Sequence, residues 1–258
     1  MKVDLSNKVA LVTGAARGIG KSIADLMAAN GARVVYTDIL SEIQIPEDCP
    51  GCSSKTLNVT DEKQVEQIID ETVCELGSLD ILVNNAGVNT LHHRVPIDLF
   101  PKEEWDRILA VDLTGLYMMS KAAARIMKKQ GAGRIINIAS VVGLTPLRLQ
   151  CAFTAAKAGV INLTKAMAIE LGSAGILTNA IAPGSVLTKA TKDLFYTEEG
   201  SFRSSVQQLL DHIPMGRPGT TEEIAHAALF LAAPESSYVN GHILTVDGGW
   251  IAGYNREF

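Results

Sequence analysis

The segment Val9-Ala10-Leu11-Val12-Thr13-Gly14-Ala15-Ala16-Arg17-Gly18-Ile19-Gly20 decides the fold. A short strand-forming run, Val9 to Thr13, enters a turn containing three glycines, and a helix-period segment near Ile19 to Asn30 follows. At such a junction the free N–H groups and the positive dipole end of the helix suit a pyrophosphate. Glycines allow the tight turn, the close approach of phosphate and the close packing of helix on strand. Gly14, Arg17, Gly18, Ile19 and Gly20 are therefore candidate dinucleotide contacts, although glycine also marks plain turns. The next strand ends at Asp38, 18 residues after Gly20. A carboxylate there can accept from both ribose hydroxyls of an adenosine and repels a 2′-phosphate, which favours NAD over NADP; Arg17 argues mildly the other way.

Outward from this segment, strand-like runs alternate with helical ones. The strands are expected at Val9 to Thr13, Arg33 to Asp38, Ser54 to Asn58, Ile81 to Asn84, Arg134 to Ser140, Leu177 to Ala182 and Ile243 to Val246. Helices are expected near Ile19 to Asn30, Asp61 to Leu76, Lys102 to Lys129, Cys151 to Leu171 and Thr221 to Ala233. The alternation predicts an α/β, doubly wound Rossmann-type fold: a seven-stranded parallel sheet with helices on both faces. With no repeat or Gly/Ser linker, residues 1–258 read as one domain, and the irregular stretch at about 184–218 is long enough to cover a site.

Composition sets the outer bounds. Lys and Arg number 23 against 28 Asp and Glu, a net charge of −5, so the basic footprint of a nucleic-acid binder is missing. The apolar runs are far shorter than a membrane span. Met1-Lys2-Val3-Asp4 leads directly into a strand-like segment without a signal-peptide pattern, so cytoplasmic residence is the default expectation. Four cysteines are too few for a disulfide scaffold. Cys49-Pro50-Gly51-Cys52 can be a redox dithiol, half a zinc site or a tight Pro-Gly turn flanked by two thiols; the plain turn is favoured, since no further zinc ligands lie nearby.

Thr13-Gly14-x-x-x-Gly18-Ile19-Gly20, Asn84-Asn85-Ala86-Gly87, Ser140 after Ile135-Ile136-Asn137-Ile138-Ala139, and Pro183-Gly184 together resemble the short-chain dehydrogenase/reductase family, over nearly the whole chain. The resemblance implies a nicotinamide dinucleotide held by the glycine turn and Asp38 with Ile39, Asn58, Val59, Asn85, Ala86, Gly87, Lys157, Pro183, Gly184, Val186 and Thr188. It also implies a homotetramer or dimer, the homotetramer being favoured. The family's chemistry uses a Tyr and a Lys four residues apart on one helix, a Ser from the preceding strand and an Asn from the helix before it. Lysine lowers the tyrosine pKa, and serine steadies the substrate oxygen.

Ser140 and Lys157 stand at their places, but the tyrosine position reads Phe153, in Cys151-Ala152-Phe153-Thr154-Ala155-Ala156-Lys157. A phenyl ring can neither give nor take a proton, and Thr154 points about 100° round the helix. The chain is therefore expected to be nearly inactive. A Tyr to Phe change made to trap a complex is one explanation, favoured because Ser140, Lys157, Asp38 and the glycine turn all remain; a natural binding module or sensor without chemistry is the other. Asp112 stands where the family has Asn, a milder departure because the backbone carbonyl does that residue's work.

Substrate contacts are sought in Ser140, Arg148, His92 and Arg94, with Arg148 the leading candidate for a carboxylate or hydroxyl. His93, Gln150, Lys189, Lys192, Arg203 and His212 complete a polar loop set that suits a polyol, sugar or hydroxy acid better than a steroid, although exposed loops are polar in any case; steroid or 3-oxoacyl is the alternative substrate class. No metal is expected, since His92 and His93 lack a third ligand. The reading is a secondary-alcohol/ketone oxidoreductase using NAD. A dinucleotide-binding regulator or scaffold is the alternative.

Overall fold

The computed structural model describes residues 3–90, 94–188 and 210–253. Seven parallel strands form one sheet in the order β3 (Ser53–Thr56), β2 (Arg33–Asp38), β1 (Val9–Thr13), β4 (Ile81–Asn84), β5 (Gly133–Ile138), β6 (Ile176–Pro183) and β9 (Ile243–Val246). A two-stranded ladder, β7 (Val186–Leu187) with β8 (Gly219–Thr220), lies beyond β6. All five residues of β1 are buried, as expected for a strand covered on both faces.

Period-2 alternation sends successive β1 side chains to opposite layers. Ala10 and Val12 join the core under α1 (Gly18–Ala29) and α6 (Thr221–Ala232), where Ile23 and Met27 meet Ala228 and Leu229. Leu11 joins the opposite core, under α2 (Glu62–Leu76) and α4 (Leu116–Gln130), with Ile69 and Met119. α5 (Cys151–Leu171) packs beside β6. No helix among the described residues is long and apolar enough to cross a membrane.

Helix ends follow their local chemistry. Asp61 caps α2 by accepting from the N–H groups of Lys63 and Gln64, and Gly77 closes its far end. Thr220 and Glu223 form a reciprocal capping box at α6. The Glu223 carboxyl is held down to about 2 by the Arg217 guanidinium and the Thr220 N–H.

Two departures from the sequence-based expectation have physical causes. The single helix expected from Lys102 to Lys129 is divided into α3 (Lys102–Leu109) and α4 by a π-helical turn at Ala110–Gly115. The wider turn carries Asp112 inward, where Val88 and Lys157 supply its partners. The Cys49–Cys52 turn forms as expected, with Cys52 N–H donating to the Cys49 carbonyl at 3.1 Å, but its sulfurs are joined as a disulfide instead of standing as two thiols.

Thr220→Ala removes one half of the capping box. The expected loss is about 1 kcal/mol, a fall of roughly 2–4 °C in Tm, read by thermal denaturation.

Candidate active site

Strand order reverses at β1 and β4, so helices leave their carboxyl ends toward opposite faces and a crevice opens between them. The crevice is a cleft of about 450 Å³. Thr13 and Asn85 hold its two sides together. The Thr13 hydroxyl accepts from the N–H groups of Asn85 and Ala86, both at 3.0 Å, and the Asn85 amide donates to the carbonyls of Thr13 at 2.9 Å and Gly14 at 3.0 Å. This approach leaves no room at Gly20, where a Cβ would lie 2.3 Å from the Gly14 carbonyl oxygen. Gly20 is thus a packing glycine and does not line the cleft.

Of the expected cofactor contacts, Gly14, Arg17, Gly18, Ile19, Asp38, Ile39, Asn58, Val59, Asn85, Ala86, Gly87 and Thr188 line the cleft. Asp38 accepts from the Ala16 N–H at 3.0 Å and the Leu40 N–H at 3.1 Å. It therefore braces the glycine turn as well as facing the cleft. No side chain caps the start of α1, and no acidic residue occupies its first turn, so its N–H groups remain available to an anion. Pro183, Gly184 and Val186 lie outside the cleft lining, at the end of β6 and in β7. Leu40, Leu57, Val88 and Val111 line it without having been singled out; Val111 arrives through the π turn, which has no sequence signature.

Beneath the cleft lies a buried charge pair. The Lys157 ammonium donates to the Ile138 carbonyl at 3.0 Å and stands 3.1 Å from Asp112 Oδ2. The other carboxylate oxygen accepts from the Val88 N–H at 2.7 Å. Lys157 and Asp112 are 5 % and 1 % exposed, and burial pushes the Asp112 carboxyl above the usual range, against the opposing pull of Lys157 and the Val88 N–H. A Cβ on Gly87 would lie 3.0 Å from Asp112 Oδ2 and 3.5 Å from the ammonium, so the backbone of Gly87 passes closely over the pair. It is thus the Asp112 side chain that is engaged with Lys157.

Phe153 lies one helical turn before Lys157, its ring centroid 5.5 Å from the ammonium. The ring packs in a small apolar cluster with Ile108, Trp105 and Phe100. Ser140 begins the turn after β5, and its hydroxyl accepts from the Val142 N–H at 3.3 Å.

Arg148 and Thr154 line a different groove, of about 380 Å³, with Val95, Ile97 and Cys151. Arg94 and His212 are exposed, and Gln150 is buried at the start of α5. His92, His93, Lys189, Lys192 and Arg203 lie outside the described residues. Among the described residues no cluster of three metal-ligating side chains occurs.

Residues 14–251 match a family described as enoyl-(acyl carrier protein) reductase. The chain is 42 % identical over 250 residues to the 3-oxoacyl-[acyl-carrier-protein] reductase FabG of Vibrio cholerae, covering 96 % of this chain and 98 % of that one. It is 40 % identical to the 2-dehydro-3-deoxy-D-gluconate 5-dehydrogenase of Bacillus subtilis, covering 96 % of both. The ligand-free aldohexose dehydrogenase of Thermoplasma acidophilum superposes with a TM-score of 0.89 at 31 % identity, over 100 % of this chain and 99 % of that one. With the glycine turn, the Asn85 junction, Ser140 and Lys157 in place, the chain belongs to the short-chain dehydrogenase/reductase family of NAD(P)-binding oxidoreductases.

Proposed function

We propose that this chain binds NAD(H) in the β1/β4 cleft and carries the site of a secondary-alcohol/ketone oxidoreductase for a small polyol, sugar or hydroxy acid, with turnover held low by Phe153. One observation carries the reading. The side chain one turn before Lys157 is a phenyl ring 5.5 Å from the ammonium, where proton transfer needs a hydroxyl. The relatives named for a gluconate derivative and an aldohexose support a polar substrate. The acyl-carrier-protein reductases support a 3-oxoacyl substrate as the second reading.

The residues present fit the dinucleotide. The uncapped start of α1 would hold the pyrophosphate, and the Asp38 oxygens retain lone pairs for ribose hydroxyls. The same carboxylate disfavours a 2′-phosphate. When bound, the nicotinamide supplies the hydride acceptor or donor. Ser140 would orient the substrate oxygen, and Lys157 would lend its charge to the site from beneath Gly87. The segment at about 184–218 would cover the substrate, and the chain would work as a homotetramer in the cytoplasm.

Asp112 alters the electrostatics. A carboxylate 3.1 Å from the ammonium offsets the positive charge that would otherwise favour a tyrosinate at position 153. Phe153→Tyr is expected to raise kcat by ~10² to 10⁴, measured with NAD and NADP against polyols, sugar acids and 3-oxoacyl thioesters. Adding Asp112→Asn is expected to move the pH of half-maximal kcat downward, because the phenolate then keeps the full benefit of Lys157. No gain from Phe153→Tyr with any substrate would leave the dinucleotide-binding regulator or scaffold in its place. Tighter binding of NADP than NAD in a fluorescence titration would show that Arg17 outweighs Asp38.

The pair also has a stability signature. Lys157→Met strands a buried carboxylate and is expected to cost about 3–5 kcal/mol at neutral pH. Burial holds the folded-state pKa of Asp112 above its unfolded value, ~3.9. The protonated carboxyl therefore stabilises the fold fully below the unfolded value, and this contribution is lost as pH rises through the folded one. Urea denaturation should accordingly find the deficit of Lys157→Met smaller at pH 5 than at pH 7.5.

A further inference from the structure

Cys49-Pro50-Gly51-Cys52 lies outside the chemistry described above. The turn is built by the backbone, independently of its sulfurs. Proline occupies its second position, Gly51 has φ +84° at its third, and Cys52 N–H closes it onto the Cys49 carbonyl at 3.1 Å. A Cβ at Gly51 would also lie 2.8 Å from Cδ of the Arg33 side chain, which would have to shift; it is the positive φ that calls for glycine. The turn sets the two Cα atoms 5.4 Å apart, within the span a disulfide needs.

Three further features point to exchange chemistry and away from a staple. The bond closes a ring of only four residues, which constrains the unfolded chain least. Cys74 and Cys151 are free, so the chain does not rely on disulfides generally. Both bonded cysteines are partly exposed at the tip of the turn, with Pro50 and Gly51 open to solvent. The sulfurs are also unlike each other. Cys52 Sγ accepts from the Val34 N–H at 3.4 Å and packs on the core beside α1, so it is the better supported as a departing thiolate. Cys49 ends the segment that leaves Asp38, whose first residues, Ile39 and Leu40, line the cleft.

We propose that Cys49–Cys52 is a thiol–disulfide exchange site for a glutathione-class thiol, and that its oxidised form tethers the 39–49 segment at the adenosine end of the cleft. A partner thiolate attacks Cys49 Sγ. The Cys49–Cys52 bond breaks, Cys52 leaves as the thiolate beside the Val34 N–H, and a mixed disulfide remains on Cys49. A second partner thiolate attacks the partner sulfur of that mixed disulfide and releases Cys49 as a thiolate. The products are the partner's disulfide and, after uptake of two protons, two cysteine thiols; two electrons have passed from the partner to the pair. The reverse sequence, driven by the partner's disulfide, oxidises the pair.

The test needs no cofactor, so it stands apart from the reading of the cleft. The folded chain is equilibrated across glutathione redox buffers, alkylated and digested with trypsin; the peptide Val34 to Lys55 contains both cysteines and neither Cys74 nor Cys151. The expected result is a reversible change from no alkyl group to two on that peptide, with Cys52→Ser leaving Cys49 as a stable glutathione adduct. A peptide that stays oxidised in the folded chain under excess dithiothreitol, or stays alkylated at both positions after excess glutathione disulfide, would overturn the exchange site. Cleavage by a glutamate-specific protease at Glu42 and Glu47 is expected to be faster in the reduced chain. Equal rates would overturn the tether.

Discussion

The bonds between Thr13 and Asn85 join the carboxyl ends of the two central strands, and the site depends on that junction. One hydroxyl takes two backbone donors from the β4 side, while one amide returns two bonds to the β1 side. The glycine turn is thereby pressed against β4 so closely that Gly20 has no space for a methyl group. The candidate site is arranged around this seam: the open start of α1 above it, Asp38 bracing the turn from β2, and the Lys157–Asp112 pair below Gly87.

The seam and the floor of the site obey different energetics. Along the seam, neutral hydrogen bonds satisfy groups that the parallel sheet would otherwise leave unpaired at its edge. In the floor, two full charges are buried together, an arrangement in which desolvation can cancel most of the Coulomb attraction. Such a pair is retained more readily for what it does to a neighbouring group than for stability. Here the neighbour is a phenyl ring, which accepts the ammonium through its face and has no proton for the pair to tune.

Most of the framework was legible in the sequence because its signals are local. The buried run of β1, the glycines of the first turn and the capping residues of α2 and α6 each carry their own chemistry within a few positions. Much of the cleft lining was legible too, through motifs that sit at strand ends. The π turn was not, because an extra residue in a helix leaves the amphipathic pattern readable on either side and is silent at the break. The ion pair followed from that omission: Asp112 was recognised as a departure, but its inward aim depends on the turn. Arg148 is close to Phe153 along the chain, but the groove it shares with Val95, Ile97, Cys151 and Thr154 carries no local signal, since it is formed by segments distant in sequence.

The π turn has a wider consequence for the helix that contains it. Inserting a residue shifts the phase of everything after it, so α3 and α4 present apolar stripes that a continuous α-helix could not align with both of its neighbours. α3 turns toward α5, and α4 turns toward α2. A chain one residue shorter between Lys102 and Gln130 would keep one of these stripes in register and rotate the other toward water. The irregular turn that aims one carboxylate therefore also acts as the joint that lets one long segment pack against two helices of the same layer.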